Sequence, residues 1–192
     1  MALSLSGDPK ADRLLQDNPL ALVIGMVLDQ QVPFERAFSA PYELEQRLGK
    51  KLRAKTIATC DPEVLAEAFT RTKALHRYPS AMAERVQRLC VIVEDDFGGD
   101  ASRIWTTAPD AAELLRRLRA LPGFGEMKAK IFLALLGKQL GCRPKGWRAA
   151  AAPFGEPRTT MSVADISDAK SLEAVRAFKR EGKRAAKAAA AK

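Results

Sequence analysis

Histidine is nearly missing from this chain: His76 is the only one in 192 residues. A zinc site built on several imidazoles is excluded, and so is a triad that draws on any other histidine. Cysteine is sparse as well. Cys60, Cys90 and Cys142 stand apart, odd in number and without a CxxC pair, which is the pattern of reduced thiols rather than of a disulfide framework. The longest apolar run, Leu20 to Leu28, is nine residues, against the roughly 20 that a membrane helix needs. The opening stretch from Met1 to Gly7 has no basic segment and no long apolar core, which predicts no secretory signal. Membrane protein, secreted disulfide scaffold and zinc enzyme are therefore ruled out, and a cytoplasmic location without membrane contact is expected.

What the chain does have is apolar bulk and positive charge. At 47% apolar and 29% charged residues it is suited to a packed core, and its length fits one domain or one two-lobed domain. The net charge of +9 is unevenly placed. Residues 176–192 carry seven basic side chains against Glu181 alone, and residues 127–155 carry six with no acid, so the rest of the chain is slightly acidic. Basic charge confined to two segments predicts a side that faces a polyanion. For the tail, a solvated Ala/Lys-rich end explains the composition equally well.

Start and stop signals divide the chain into helices, and an all-α fold is expected. Asn18-Pro19 supplies an N-cap and a first-turn proline before Leu20–Leu28, a helix apolar on every side and so predicted to be central. Asp61-Pro62 gives the same signal before Glu63–Phe69, and Pro109-Asp110 precedes Ala111–Ala120. Met82, Val86, Leu89, Cys90 and Val93 make one helical face, closed by Gly98-Gly99. A further helix is predicted from about Glu126 to Leu140, a loop from Gly141 to Arg158, and a last helix over about 171–179. Beyond Arg180 no large apolar side chain remains, so residues 1–179 are expected to be the domain and 180–192 a basic flexible tail.

The informative stretch is Leu121-Pro122-Gly123-Phe124-Gly125, set between two of these helices. Gly123 and Gly125 allow positive φ and keep the turn free of side chains, and the free amides of the following helix converge where a phosphate would be favoured. Lys128 and Lys130 add charge in its first turns. An ordinary helix–helix turn would use the same residues, but the full spacing Leu-Pro-Gly-Phe-Gly-x-x-x-Ala beside a basic run strengthens the phosphate reading.

This segment resembles the helix–hairpin–helix of the HhH-GPD superfamily of base-excision DNA glycosylases. Asp29-Gln30-Gln31, upstream at the end of the apolar helix, resembles a segment of 3-methyladenine DNA glycosylase II and its relatives. The resemblance spans roughly Pro19 to Lys145 and is closest to short members of about this length. It implies a two-lobed helical fold acting as a monomer on double-stranded DNA, near the bacterial nucleoid. It further implies that the hairpin grips backbone, with a monovalent cation there, and that a base is flipped out for reading. The DNA-binding set is then Gln30, Gln31, Leu121, Pro122, Gly123, Phe124, Gly125, Lys128, Lys130, Arg143, Lys145, Trp147 and Arg148. Either glutamine amide suits the gap left by an extruded nucleotide, Gln31 the better of the two, although both would also serve as helix-end caps. Trp147 suits base stacking or, somewhat better, sealing the lobe interface.

The chain also departs from that pattern. The resemblance implies an Asp some 16–20 residues beyond the hairpin, yet residues 141–148 hold Arg143, Lys145 and Arg148 and no carboxylate. Positive groups there oppose a cationic sugar. Asp29 is the replacement candidate near the glutamines, with a helix-end cap as its plain alternative; Asp165 and Asp168 would have to fold back. Met127 occupies the position of a nucleophilic lysine, with Lys128 turned about 100° away. Met26 stands where adenine-specific relatives carry a Glu. No four-cysteine set is present, so no iron–sulfur cluster and no other cofactor is expected. Three functions compete: a monofunctional glycosylase without lyase activity and directed at alkylated bases, a non-catalytic module for damaged or distorted DNA, and an architectural DNA coater driven by the tail.

Overall fold

The computed structural model describes residues 3–190, without the side chains of residue 183 and residues 185–190. It is helical, and no strand occurs among the described residues. The helices are α1 (Pro9–Asp17), α2 (Pro19–Leu28), α3 (Phe34–Leu48), α4 (Ala54–Ala58), α5 (Pro62–Thr70), α6 (Pro79–Phe97), α7 (Arg103–Thr106), α8 (Ala111–Ala120), α9 (Glu126–Gln139), α10 (Trp147–Ala150) and α11 (Ala169–Ala190). A short 3₁₀ turn spans Val163–Asp165.

The expected caps form. The Asn18 side chain accepts from the Leu20 and Ala21 amides, and the Asp61 side chain accepts from Glu63 and Val64. Asp110 accepts from the Glu113 amide at 2.9 Å. Each satisfies a first-turn N–H that the helix itself leaves open. Besides α10, four helices lie outside the sequence expectation, the short α4 and α7 and the longer α1 and α3. α1 carries a signal of the same kind, Asp8-Pro9, with the Asp8 side chain accepting from Lys10. α3 buries Phe34, Ala37, Phe38, Ala40, Pro41 and Leu44 on one face. In the segment expected to be loop, α10 forms one helical turn. The last helix begins at Ala169 and runs through Ala190 rather than ending near Lys179. Of the basic tail, the side chains of Lys183 and Lys187 and all of Lys192 lie outside the described residues.

The helices pack as two groups, α1 to α6 in one lobe and α7 to α11 in the other. α2 is the centre of the first, buried from Leu20 through Leu28 as its unbroken apolar pattern predicts. Gly25 lets α3 approach it: a Cβ there would stand 2.7 Å from the Phe38 ring. In the second lobe α9 is the packed element, with Phe132 to Gly137 all buried. One hydrophobic core runs through both lobes. The C-terminal end of α2 therefore faces the N-terminal end of α9, and the chemistry-bearing residues collect where they meet.

Candidate nucleic-acid interface

The hairpin is built as a turn between α8 and α9. Phe124 donates its amide to the Leu121 carbonyl at 3.1 Å, and Gly123 takes a left-handed φ of +80°. A Cβ on Gly123 would also stand 2.9 Å from the Arg85 side chain. Gly125 is different. Its φ of −86° suits any residue, so conformational freedom is not what this position requires. Open space is: nothing lies within 4 Å of a Cβ placed there. Gly125 is the N-cap of α9 and offers no side chain, so the amides of Gly125, Glu126, Met127 and Lys128 have no partner among the described residues. Four amides at one helix start, under an open surface, form an anion-receptive end.

Leu121 and Phe124 are buried at 3% and 6% exposure, with Phe124 edge-on to Phe132 at 5.8 Å. Their side chains hold the turn to the core, and only their backbone faces out. Lys130 pairs with Glu126 at 2.9 Å. Lys128 is the larger surprise. Instead of turning aside, it reaches across the lobes, its Nζ 3.0 Å from the Val27 carbonyl and 5.9 Å from the Phe124 ring centroid. Burial brings its ammonium down to about 8, with nearby Arg85 adding to the effect and Asp29 opposing it.

Asp29 caps α2, its amide bonded to the Gly25 carbonyl at 3.0 Å, and its half-buried side chain lies in the same cleft. Gln30 turns inward, with Nε2 3.2 Å from Met82 Sδ. Gln31 turns outward on a left-handed backbone, φ +56°, and its Oε1 accepts from the Tyr78 hydroxyl at 3.2 Å. Tyr78 is 44% exposed and carries the Arg77 guanidinium over its ring at 5.4 Å. From its residues the loop His76-Arg77-Tyr78-Pro79 suits an interlobe turn or contact with DNA equally, and the structure joins its Tyr78 to Gln31.

Other expected residues stand apart from this cluster. Trp147 is buried and lies flat against α9: a Cβ on Gly137 would come within 2.5 Å of its ring. The ring is therefore buried against α9 of its own lobe rather than open to a base. Arg148 covers it from outside at 4.9 Å. Arg143 donates to the Gly137 carbonyl at 2.9 Å, and Lys145 is exposed nearby. Asp165 does not fold back over the cleft. It accepts from Lys138 at 2.6 Å, from Thr159, and from the Met161 and Ser162 amides, which makes it the pin of the 3₁₀ turn. Asp168 caps α11 through Ser171, whose bonds hold its carboxyl below the usual range.

The model of HhH-GPD superfamily base excision DNA repair proteins matches residues 24–192. The chain belongs to that superfamily. The matched span includes the glutamine pair, the hairpin and the terminal basic helix, and it begins inside α2. Among curated proteins and solved structures, none matches significantly. As an HhH-GPD protein the chain is a DNA-binding protein of the base-excision repair type, with the all-helical architecture described above. No helix among the described residues is long and apolar enough to cross a membrane.

Proposed function

We propose that this HhH-GPD protein grips one strand of double-stranded DNA at the open start of α9 and turns a damaged base, of the alkylated class, out of the duplex. The observation that carries this reading is the open start of α9, with four unpartnered amides, tied through Lys128 to the end of α2, after which Gln31 meets Tyr78. A phosphate on the amides would be fixed by hydrogen bonds and by the helix dipole. A monovalent cation would sit on the turn's carbonyls. Those of Leu118 and Leu121 each accept one amide bond, which leaves each oxygen a second lone pair. The protein acts as a monomer in the cytoplasm, close to its DNA.

As chemistry, the reading is a monofunctional glycosylase. Met127, where a nucleophilic lysine would stand, is 69% exposed and carries a thioether that cannot form a Schiff base. Lys128 is engaged on the Val27 carbonyl. Asp29 is the carboxylate left to face a developing cationic sugar, because Asp165 and Asp168 are committed to local structure. A cationic N-alkylated purine suits so lightly equipped a site, since its leaving group departs neutral and demands less of the protein. A second reading, a module that holds damaged DNA without cutting it, is favoured by the absence of any carboxylate from residues 141–148. Incubation with duplexes carrying alkylated, deaminated and oxidised bases, with mass detection of released base, separates the two. Release of alkylated base supports the enzyme, and tight binding without release supports the module.

A further inference from the structure

Gln31 holds a backbone conformation that a residue with a side chain adopts only at a cost, φ +56°. Such a conformation persists when its surroundings over-determine it. Here the surroundings are three contacts from the loop before α6. The His76 imidazole touches the Gln30 carbonyl through Nε2 at 2.9 Å, and its Nδ1 accepts from the Tyr78 amide at 3.0 Å. The third contact is the Tyr78 hydroxyl on Gln31. A backbone amide can only donate, so Nδ1 must offer its lone pair and Nε2 must carry the proton, which it donates to Gln30. The site accepts one of the three imidazole forms, the neutral Nε2–H tautomer. A proton added at Nδ1 would set two donors against each other.

We propose that His76 is a positioning residue that clamps Gln31 and Tyr78 into one exposed element and so prepares them to enter a damaged duplex together. His76 itself is buried at 3% exposure and cannot touch DNA directly. Gln31 and Tyr78, which it joins, are exposed, and Lys128 from the first turn of α9 lies near enough to act on the imidazole. The charged groups that face it act in the same direction as its burial. Lys128 on α9 and Arg85 on α6 both oppose a further positive charge, and burial does so most strongly. Asp29 acts on Lys128, and Arg77 is held over the Tyr78 ring. The clamp is therefore closed at neutral pH and opens in acid. This role rests on the proposed use of Gln31 in DNA, and the test separates the two.

Because His76 is the only histidine, its imidazole nitrogens are assigned in a ¹⁵N spectrum of the whole protein without ambiguity. The spectrum is expected to show the Nε2–H tautomer at pH 7. As the pH is lowered past the ordinary imidazole value of 6.5, protonation of the ring is expected to coincide with loss of hydrogen-exchange protection at the Tyr78 amide. In parallel, binding is measured to an intact duplex and to one carrying a stable abasic analogue. Preference for the abasic duplex is expected to fall about tenfold as the clamp opens, with intact-duplex affinity following only its usual salt and pH dependence. His76→Phe, which keeps ring volume, should lose the preference and its pH dependence at once, and Tyr78→Phe should lose part of the preference with the imidazole tautomer unchanged. A different tautomer, or a Tyr78 amide whose protection ignores ring protonation, overturns the clamp in the wild-type protein alone, whether or not His76→Phe folds. A clamp that opens on schedule in a protein with no abasic preference at any pH overturns the use of Gln31 and Tyr78 in DNA instead.

Discussion

The Nζ of Lys128 lies 3.0 Å from the Val27 carbonyl and ties the first turn of α9 to the last turn of α2. This bond spans the two lobes beside Asp29 and Arg85, and it puts a charged group where burial resists charge. In the unfolded chain the lysine titrates near its ordinary 10.5, in the fold at about 8. Between those values the unfolded chain holds a proton that the folded chain does not. Stability therefore falls as pH drops from 10.5 towards 8, and the penalty is complete below 8. Lys128→Met removes the titration. Urea midpoints should place the variant higher, relative to wild type, at pH 7 than at pH 10. The lost hydrogen bond cancels in that comparison because it enters at both pH values. A relative stability that does not change with pH would mean the amine is not held out of water.

Gly125 separates binding from folding. Asp at this position would be a favourable N-cap for α9, worth a few tenths of a kcal/mol over Gly to about 1 kcal/mol with the dipole included. The same carboxylate would occupy the open space above the four amides and repel a phosphate. Gly125→Asp is expected to keep or raise thermal stability while duplex affinity falls tenfold or more, about 1.4 kcal/mol. Gly123→Ala should do the reverse to stability, since it meets Arg85 at a left-handed φ. Melting curves beside DNA titrations check both, and an Asp variant with unchanged affinity would remove the phosphate from this helix end.

Much of this was legible because it follows local rules. Asn18, Asp61 and Asp110 cap helices through bonds to residues two or three positions on, and the unbroken run from Leu20 to Leu28 could only be central. The glycine turn was readable for the same reason, although the positive φ expected of both glycines holds for Gly123 alone; Gly125 has an ordinary backbone and supplies only the expected open space. What escaped depends on partners far along the chain. Trp147 faces inward because Gly137 clears a place for its ring. Lys128 crosses the cleft because a four-carbon stem reaches well beyond its helical position, and its partner is 101 residues away. The left-handed Gln31 depends on His76 and Tyr78, and no pattern around Gln31 itself announces it.

Asp165 illustrates a trap for mutagenesis. Its side chain is 3% exposed, paired with a Lys138 side chain that is 15% exposed, and it carries two backbone amides as well. Breaking a buried pair by removing one partner costs about 3–5 kcal/mol. Asp165→Asn should therefore lower the urea midpoint sharply, and any loss of DNA activity should be matched by loss of folded protein. An Asp165→Asn protein of wild-type stability with a specific defect in base release would return this residue to the chemistry.

The terminal helix is expected to supply charge rather than shape. Arg176 pairs with Glu35 and Lys179 sits over the Phe34 ring, so α11 joins the start of α3, just past the glutamines. Ending the chain at Lys179 keeps both contacts and deletes the basic residues beyond. Duplex affinity should then fall for every sequence alike, and the slope of log affinity against log salt should flatten as fewer counterions are released. A truncated protein with an unaltered slope would show that residues 180–192 make no contact with DNA.

The last prediction concerns the carboxylate. Excision of a base leaves positive charge on the sugar, and every charged side chain from Gly141 to Arg148 is positive. Asp165 is pinned under the 3₁₀ turn and Asp168 holds the start of α11, which leaves Asp29, half-buried at the end of α2 and close to Lys128. Asp29→Asn preserves volume and leaves the backbone cap to Gly25 in place, so stability should change little. If the protein releases alkylated base, this variant should slow release by tenfold or more, on the order of 1.4 kcal/mol or above, while affinity for the intact duplex stays. Release of uncharged bases should be slower still in the wild type, because their departure needs more stabilisation than one partly solvated carboxylate supplies. Borohydride should trap no covalent adduct with abasic DNA, since Met127 replaces the lysine and Lys128 is held on Val27. Rapid release of an uncharged base by Asp29→Asn would show that the site works without this carboxylate.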